Sequence, residues 1–60
     1  MKLRDPSGRL RTVRCRGDLG SGYAWVRTGL FSREEQFGAT PRAAFWALVE
    51  RLLAAGWSWR

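Results

Sequence analysis

Arginine and aromatic rings are the reactive groups this chain holds in quantity, and neither performs nucleophilic chemistry alone. Ten arginines and one lysine face five Asp and Glu, which gives +6 at neutral pH and a pI near 11.4. There is no histidine, and Cys15 is the one cysteine. Serine and cysteine nucleophiles need an adjacent base, and a structural zinc site needs four Cys or His ligands. Both chemistries are excluded. Glu34 and Glu35 are adjacent, so in a strand they face opposite sides and cannot work as an acid–base pair. No catalytic residue, metal site or cofactor is expected, and Cys15 is read as a small core residue. A binding protein is expected.

What would be bound follows from where the charge lies. Residues 1–16 hold Lys2, Arg4, Arg9, Arg11, Arg14 and Arg16 against Asp5, a balance of +5, and the remaining residues add only +1. Arginine presents a planar fork that fits phosphate and carboxylate and stacks on flat rings. A basic segment beside aromatic residues suits an anionic partner such as DNA or RNA. Two strand segments carry the relevant residues. Period-two alternation puts Val13 and Cys15 on one face of the first, with Thr12, Arg14 and Arg16 on the other. In the second, Tyr23, Trp25 and Arg27 alternate with Ala24 and Val26. If Ala24 and Val26 point inward, Arg14, Arg16, Tyr23, Trp25 and Arg27 share an open face suited to phosphates and bases. The opposite register buries Tyr23 and Trp25 instead, since a one-residue slip flips every side chain. Local sequence leaves both registers open.

These strands need a frame. Asp5-Pro6-Ser7-Gly8 has the residue order of a type I turn. It predicts a hairpin between Lys2–Arg4 and a strand running from Arg9 through Arg16. Glycine-dense 17–22 reads as a flexible hairpin loop. Tyr23–Thr28 follows as a strand broken by Gly29, and Ser32–Phe37 as a last strand ended by Gly38. Thr40 is a good N-cap and Pro41 suits the first helical position. Phe45, Leu48, Val49 and Leu52 then form one apolar stripe, widened by Ala44 and Ala55. Gly56 supplies a left-handed C′ residue, with Trp57 folding back on Leu52 in a Schellman arrangement. The predicted helix spans 41–55, and residues 57–60 are too short to assign.

The expected fold class is α+β: a three- or four-stranded antiparallel sheet with one C-terminal helix packed on one face, in the order β-β-β-α. At 60 residues and 6.9 kDa one domain is expected. A core this small supplies no more than about 3–5 kcal/mol. Trp46 and Leu53 lie seven residues apart, on a line well round the helix from Leu52. A second copy of the chain would cover that line and enlarge the core, so a homodimer is expected through Trp46 and Leu53. No apolar run approaches the ~20 residues that span a bilayer, and Met1–Asp5 lacks the apolar region of a signal peptide. The expected location is cytoplasmic, without membrane contact.

Gly22-Tyr23, the strand through Val26, Leu30 and above all Gly38-Ala39-Thr40-Pro41-Arg42-Ala43-Ala44 resemble the HicB-like antitoxin domain over about residues 10–56. The family combines a three-stranded sheet with a helix that begins at a Gly-x-Thr-x-x-x-Ala motif. The resemblance implies a non-catalytic module that dimerises and masks a small basic RNase toxin through protein–protein contacts. Where the family carries Pro-x-Leu-Pro-Gly, this chain has Thr28-Gly29-Leu30-Phe31-Ser32. The order of elements is also similar to sheet-and-helix DNA-binding domains of the integrase-arm type, in which Arg14, Arg16, Trp25 and Arg27 would occupy the reading positions. Two expectations therefore stand: a protein-binding antitoxin-like module, and a nucleic-acid-binding sheet.

Overall fold

Each predicted strand forms, and one more is added after the helix. A computed structural model covering residues 1–60 has β1 (Lys2–Arg4), β2 (Leu10–Asp18), β3 (Ser21–Arg27), β4 (Arg33–Gly38), α1 (Pro41–Ala54) and β5 (Ser58–Trp59). The strands make a five-stranded antiparallel sheet in the order β4-β3-β2-β1-β5. The α+β class holds, and the sheet is wider than expected by β5, which pairs Trp59 with Leu3 at the β1 edge. No helix is long and apolar enough to cross a membrane.

The first hairpin turns where Asp5 directs it. Gly8 N donates to Asp5 O at 2.9 Å, closing the turn. The Asp5 carboxylate accepts from Ser7 N, Ser7 Oγ and Arg9 N, and from Arg11 Nε at 2.9 Å. The Ser7 hydroxyl foremost, and Arg11 next, hold this carboxyl well below the usual carboxylate range. The second hairpin is tighter than its glycine content suggests. Gly17 pairs with Gly22 and Asp18 with Ser21, so the ladder continues until only Leu19 and Gly20 remain as the turn.

The helix ends follow local rules. Thr40 Oγ1 accepts from Ala43 N at 3.1 Å. At the other end Trp57 N donates to Leu52 O and Gly56 N to Leu53 O, with Gly56 at φ 102°. That is the Schellman pair, with Ala55 as the cap residue. One face of the sheet and one face of α1 enclose the core: Leu3, Val13, Ala24, Val26, Ala44, Leu48, Val49 and Leu52 are buried, with Phe45, Leu53 and Trp57 packed against them. Cys15 departs from expectation. Its parity puts it on the helix side, opposite Ala24, yet it is exposed. The helix begins over Gly22 of β3 and Gly38 of β4, where added Cβ atoms would strike Thr40 and Ala44. The far end of β2 is left uncovered, and Cys15 with it.

Candidate nucleic-acid interface

The register left open by the sequence is fixed by the helix. Ala24 and Val26 are buried under α1, so the intervening residues of β3 face away. The ladder sets Arg14 opposite Trp25 and Arg16 opposite Tyr23, then Trp25 opposite Glu35, Tyr23 opposite Phe37 and Arg27 opposite Arg33. Cross-strand partners share a face. Arg14, Arg16, Tyr23, Trp25 and Arg27 therefore come together on the side of the sheet that has no helix. Three residues that the sequence reading did not assign to this face join them: Arg33, Glu35 and Phe37, which alternate outward along β4 with period two. That period was the available signal.

The aromatic residues form a row across β3 and β4. Tyr23 and Trp25 stack with ring centroids 5.2 Å apart and an angle of 16° between planes, and Phe37 leans on Tyr23 at 5.1 Å. The Arg16 guanidinium lies 5.8 Å from the Trp25 ring centroid, a cation–π contact worth about 0.5–1 kcal/mol at an exposed site. Phe37 is 70% exposed, and Tyr23 and Trp25 are half-buried. Beside Trp25 lies an open groove of about 580 Å³, whose walls include Leu10, Thr12, Arg14, Arg27, Phe31 and Arg33.

Charge pairing differs between the two sides of the sheet. On the helix side Arg11 binds Asp5, and Arg51 binds Glu34 at 3.2 Å, Gln36 at 3.1 Å and the Glu35 carbonyl at 2.7 Å. Those arginines stitch turn and helix to the sheet. On the open side only Arg33 has a carboxylate, Glu35 at 3.2 Å. Arg14, Arg16 and Arg27 have no ion pair. No three Cys, Asp or Glu side chains converge where a metal ion could be held.

Trp46 and Leu53 lie apart from this face. Leu53 packs against the core. Trp46 is 41% exposed, with Phe45 edge-on at 5.3 Å and Trp59 of β5 at 6.4 Å. The unassigned tail thus supplies part of the cover that a second chain was expected to give.

The fold and face define a small antiparallel sheet with one helix on its back and an arginine–aromatic front. No protein-family model, curated protein or solved structure matches the chain.

Proposed function

We propose that the open face binds nucleic acid without catalysis, Arg14, Arg16 and Arg27 contacting phosphates and Trp25 and Tyr23 meeting bases. The observation that carries this reading is the absence of carboxylate partners for those three arginines, set beside stacked rings on one face. Arg11 and Arg51, which tie the first turn and the helix to the sheet, are paired with carboxylates. Unpaired arginines crowded on one surface repel one another until a polyanion neutralises them. The antitoxin-like alternative is less well supported. The Gly38-Ala39-Thr40-Pro41 segment behind that resemblance is accounted for by strand-to-helix packing, since Gly38 admits Ala44 and Thr40 caps the helix. A basic face would also repel a basic RNase.

Fluorescence anisotropy with labelled oligonucleotides tests the proposal. Three phosphate contacts give a slope of log affinity against log salt near −2 on single strands, or near −2.7 on duplex. Arg14→Ala should reduce the magnitude of that slope by about 0.7–0.9. Trp25→Ala should weaken binding without changing it. Absence of binding to either form at about 50 mM salt, where three phosphate contacts remain weakly screened, refutes the proposal.

A further inference from the structure

The turn between β3 and β4 presents two large apolar side chains directly to water. Leu30 is 81% exposed and Phe31 100%. The turn is closed beneath them: Thr28 N and Gly29 N both donate to Ser32 O, and Thr28 Oγ1 donates to Ser32 Oγ at 3.0 Å. Its base is flanked by Arg27 and Arg33, paired directly across the two strands. Like charges in that position destabilise a sheet. Arg33 leans on Glu35, while Arg27 has no such relief. Phe31, Arg27 and Arg33 line the same groove as Arg14 and Trp25. A fixed apolar tip and a like-charge pair at its base are each unfavourable in the free protein, and one ligand lying in the groove they share with Arg14 and Trp25 relieves both. That ligand carries anionic groups spaced along a chain and flat rings between them.

From this arrangement, and resting on the nucleic-acid reading above, we infer that the Thr28–Ser32 turn is a stacking point for an unpaired base. The ligand class is then single-stranded nucleic acid, its phosphates running past Arg27, Arg33 and Arg14. A duplex suits the tip less well. Driving Phe31 between paired bases costs an unstacking energy comparable to the return from burying one Phe and one Leu. Wedge proteins offset that cost by wrapping further surface, which so small a face does not offer. A single strand has little stacking to lose. The Tyr23 and Trp25 rings already stack on each other, so each has one face left for a base, whereas Phe31 has both faces free. A membrane surface would satisfy the tip and its arginines, but would leave unused the groove and the row of rings along the sheet behind them.

The test compares the full chain with Phe31→Ala and Phe31→Tyr. Binding is measured by anisotropy on labelled oligo-dT, on a mixed-sequence duplex of equal length, and with phosphatidylserine–phosphatidylcholine vesicles. Circular dichroism checks the fold of each variant, and a fully exposed side chain should leave it unchanged. The expected result is tighter binding to the single strand than to duplex, weakened about 5- to 150-fold by Phe31→Ala, the range for loss of one base–aromatic stack. Phe31→Tyr should restore it, with the salt slope the same throughout. Unchanged single-strand affinity in Phe31→Ala overturns the inference while leaving the arginine-based reading intact. Tighter duplex binding that depends on Phe31 overturns the single-strand assignment in favour of a wedge. Vesicle binding that depends on Phe31, with no oligonucleotide bound, overturns both readings.

Discussion

Replacing Gly22 with alanine should nearly unfold the protein, because the helix leaves no room for a methyl group there. Gly22 lies on the inward face of β3, opposite Gly38. A Cβ at this position would overlap the Thr40 carbonyl group and sit 2.5 Å from Pro41 N. These are backbone atoms, so no rotamer change relieves the clash. The Thr40 carbonyl also accepts the helical hydrogen bond from Ala44 N at 3.0 Å, while the Thr40 side chain caps Ala43. Relief requires moving the helix start. Overpacking typically costs about 1–3 kcal/mol, and disturbing the N-cap adds about 1 kcal/mol. The combined ~2–4 kcal/mol is close to the whole ~3–5 kcal/mol expected of so small a core. At ~4–8 °C per kcal/mol, the melting temperature should fall by at least about 8 °C. Thermal unfolding followed by circular dichroism measures it. Gly29→Ala is the matched control. There the added Cβ meets only the Ser32 hydroxyl, 2.9 Å away, whose one side-chain hydrogen bond, from Thr28 Oγ1, is exposed and replaceable by water, so the cost should stay below about 1 kcal/mol. Equal melting temperatures for Gly22→Ala and the parent chain would refute the close approach of helix to strand.

Asp5 makes stability sensitive to acid. Its carboxyl is held well below the ordinary range in the folded chain, so its contribution is complete at neutral pH and drains away below about pH 4 as the unfolded chain takes up the proton. Asp5→Asn should flatten the decline in melting temperature over that acid limb, and an unchanged decline would refute the linkage. A homodimer through the exposed part of Trp46 should give twice the 6.9 kDa chain mass by light scattering, and Trp46→Glu should shift it toward monomer. A monomer at micromolar concentration in the parent chain excludes that dimer.

The legible elements were those whose causes lie close together in the chain. Thr40, Pro41 and Gly56 mark both ends of α1 because caps and Schellman bonds span only a few residues. The Asp5 turn was legible for the same reason. The glycines of 17–22 misled, since Gly17 and Gly22 pair in the ladder and Gly22 answers to the helix above it. That contact also fixes the register that alternation left open. The inward residues of β3 are Gly22, Ala24 and Val26, which grow in size along the strand, and the smallest lies where the helix begins. A helix that close excludes Tyr23 and Trp25 from its side. β5 was illegible because two residues carry no period, and its pairing with β1 joins the two ends of the chain. The candidate face was half legible: its residues were identifiable, whereas its orientation and the role of Phe31 depend on tertiary contacts.

Arginines on the two sides of the sheet differ in pairing, with Arg33 and Glu35 the exception on the open side. Toward the helix, Arg11 and Arg51 each meet a carboxylate and tie separate elements together. On the open side, Arg14, Arg16 and Arg27 meet none, and Arg27 stands opposite another arginine. Composition bias toward arginine would supply the residues but gives no reason for three unpaired ones to gather beside stacked rings. Stability gives none either, because like charges across a ladder weaken it. The split has a practical consequence. Since Arg14 and Arg27 contribute no ion pair to the fold, removing either should leave the melting temperature unchanged or slightly higher, so any loss of oligonucleotide affinity in those variants reports on the interface itself. A marked fall in melting temperature for Arg27→Ala would instead assign that arginine to the fold and remove it from the proposed face.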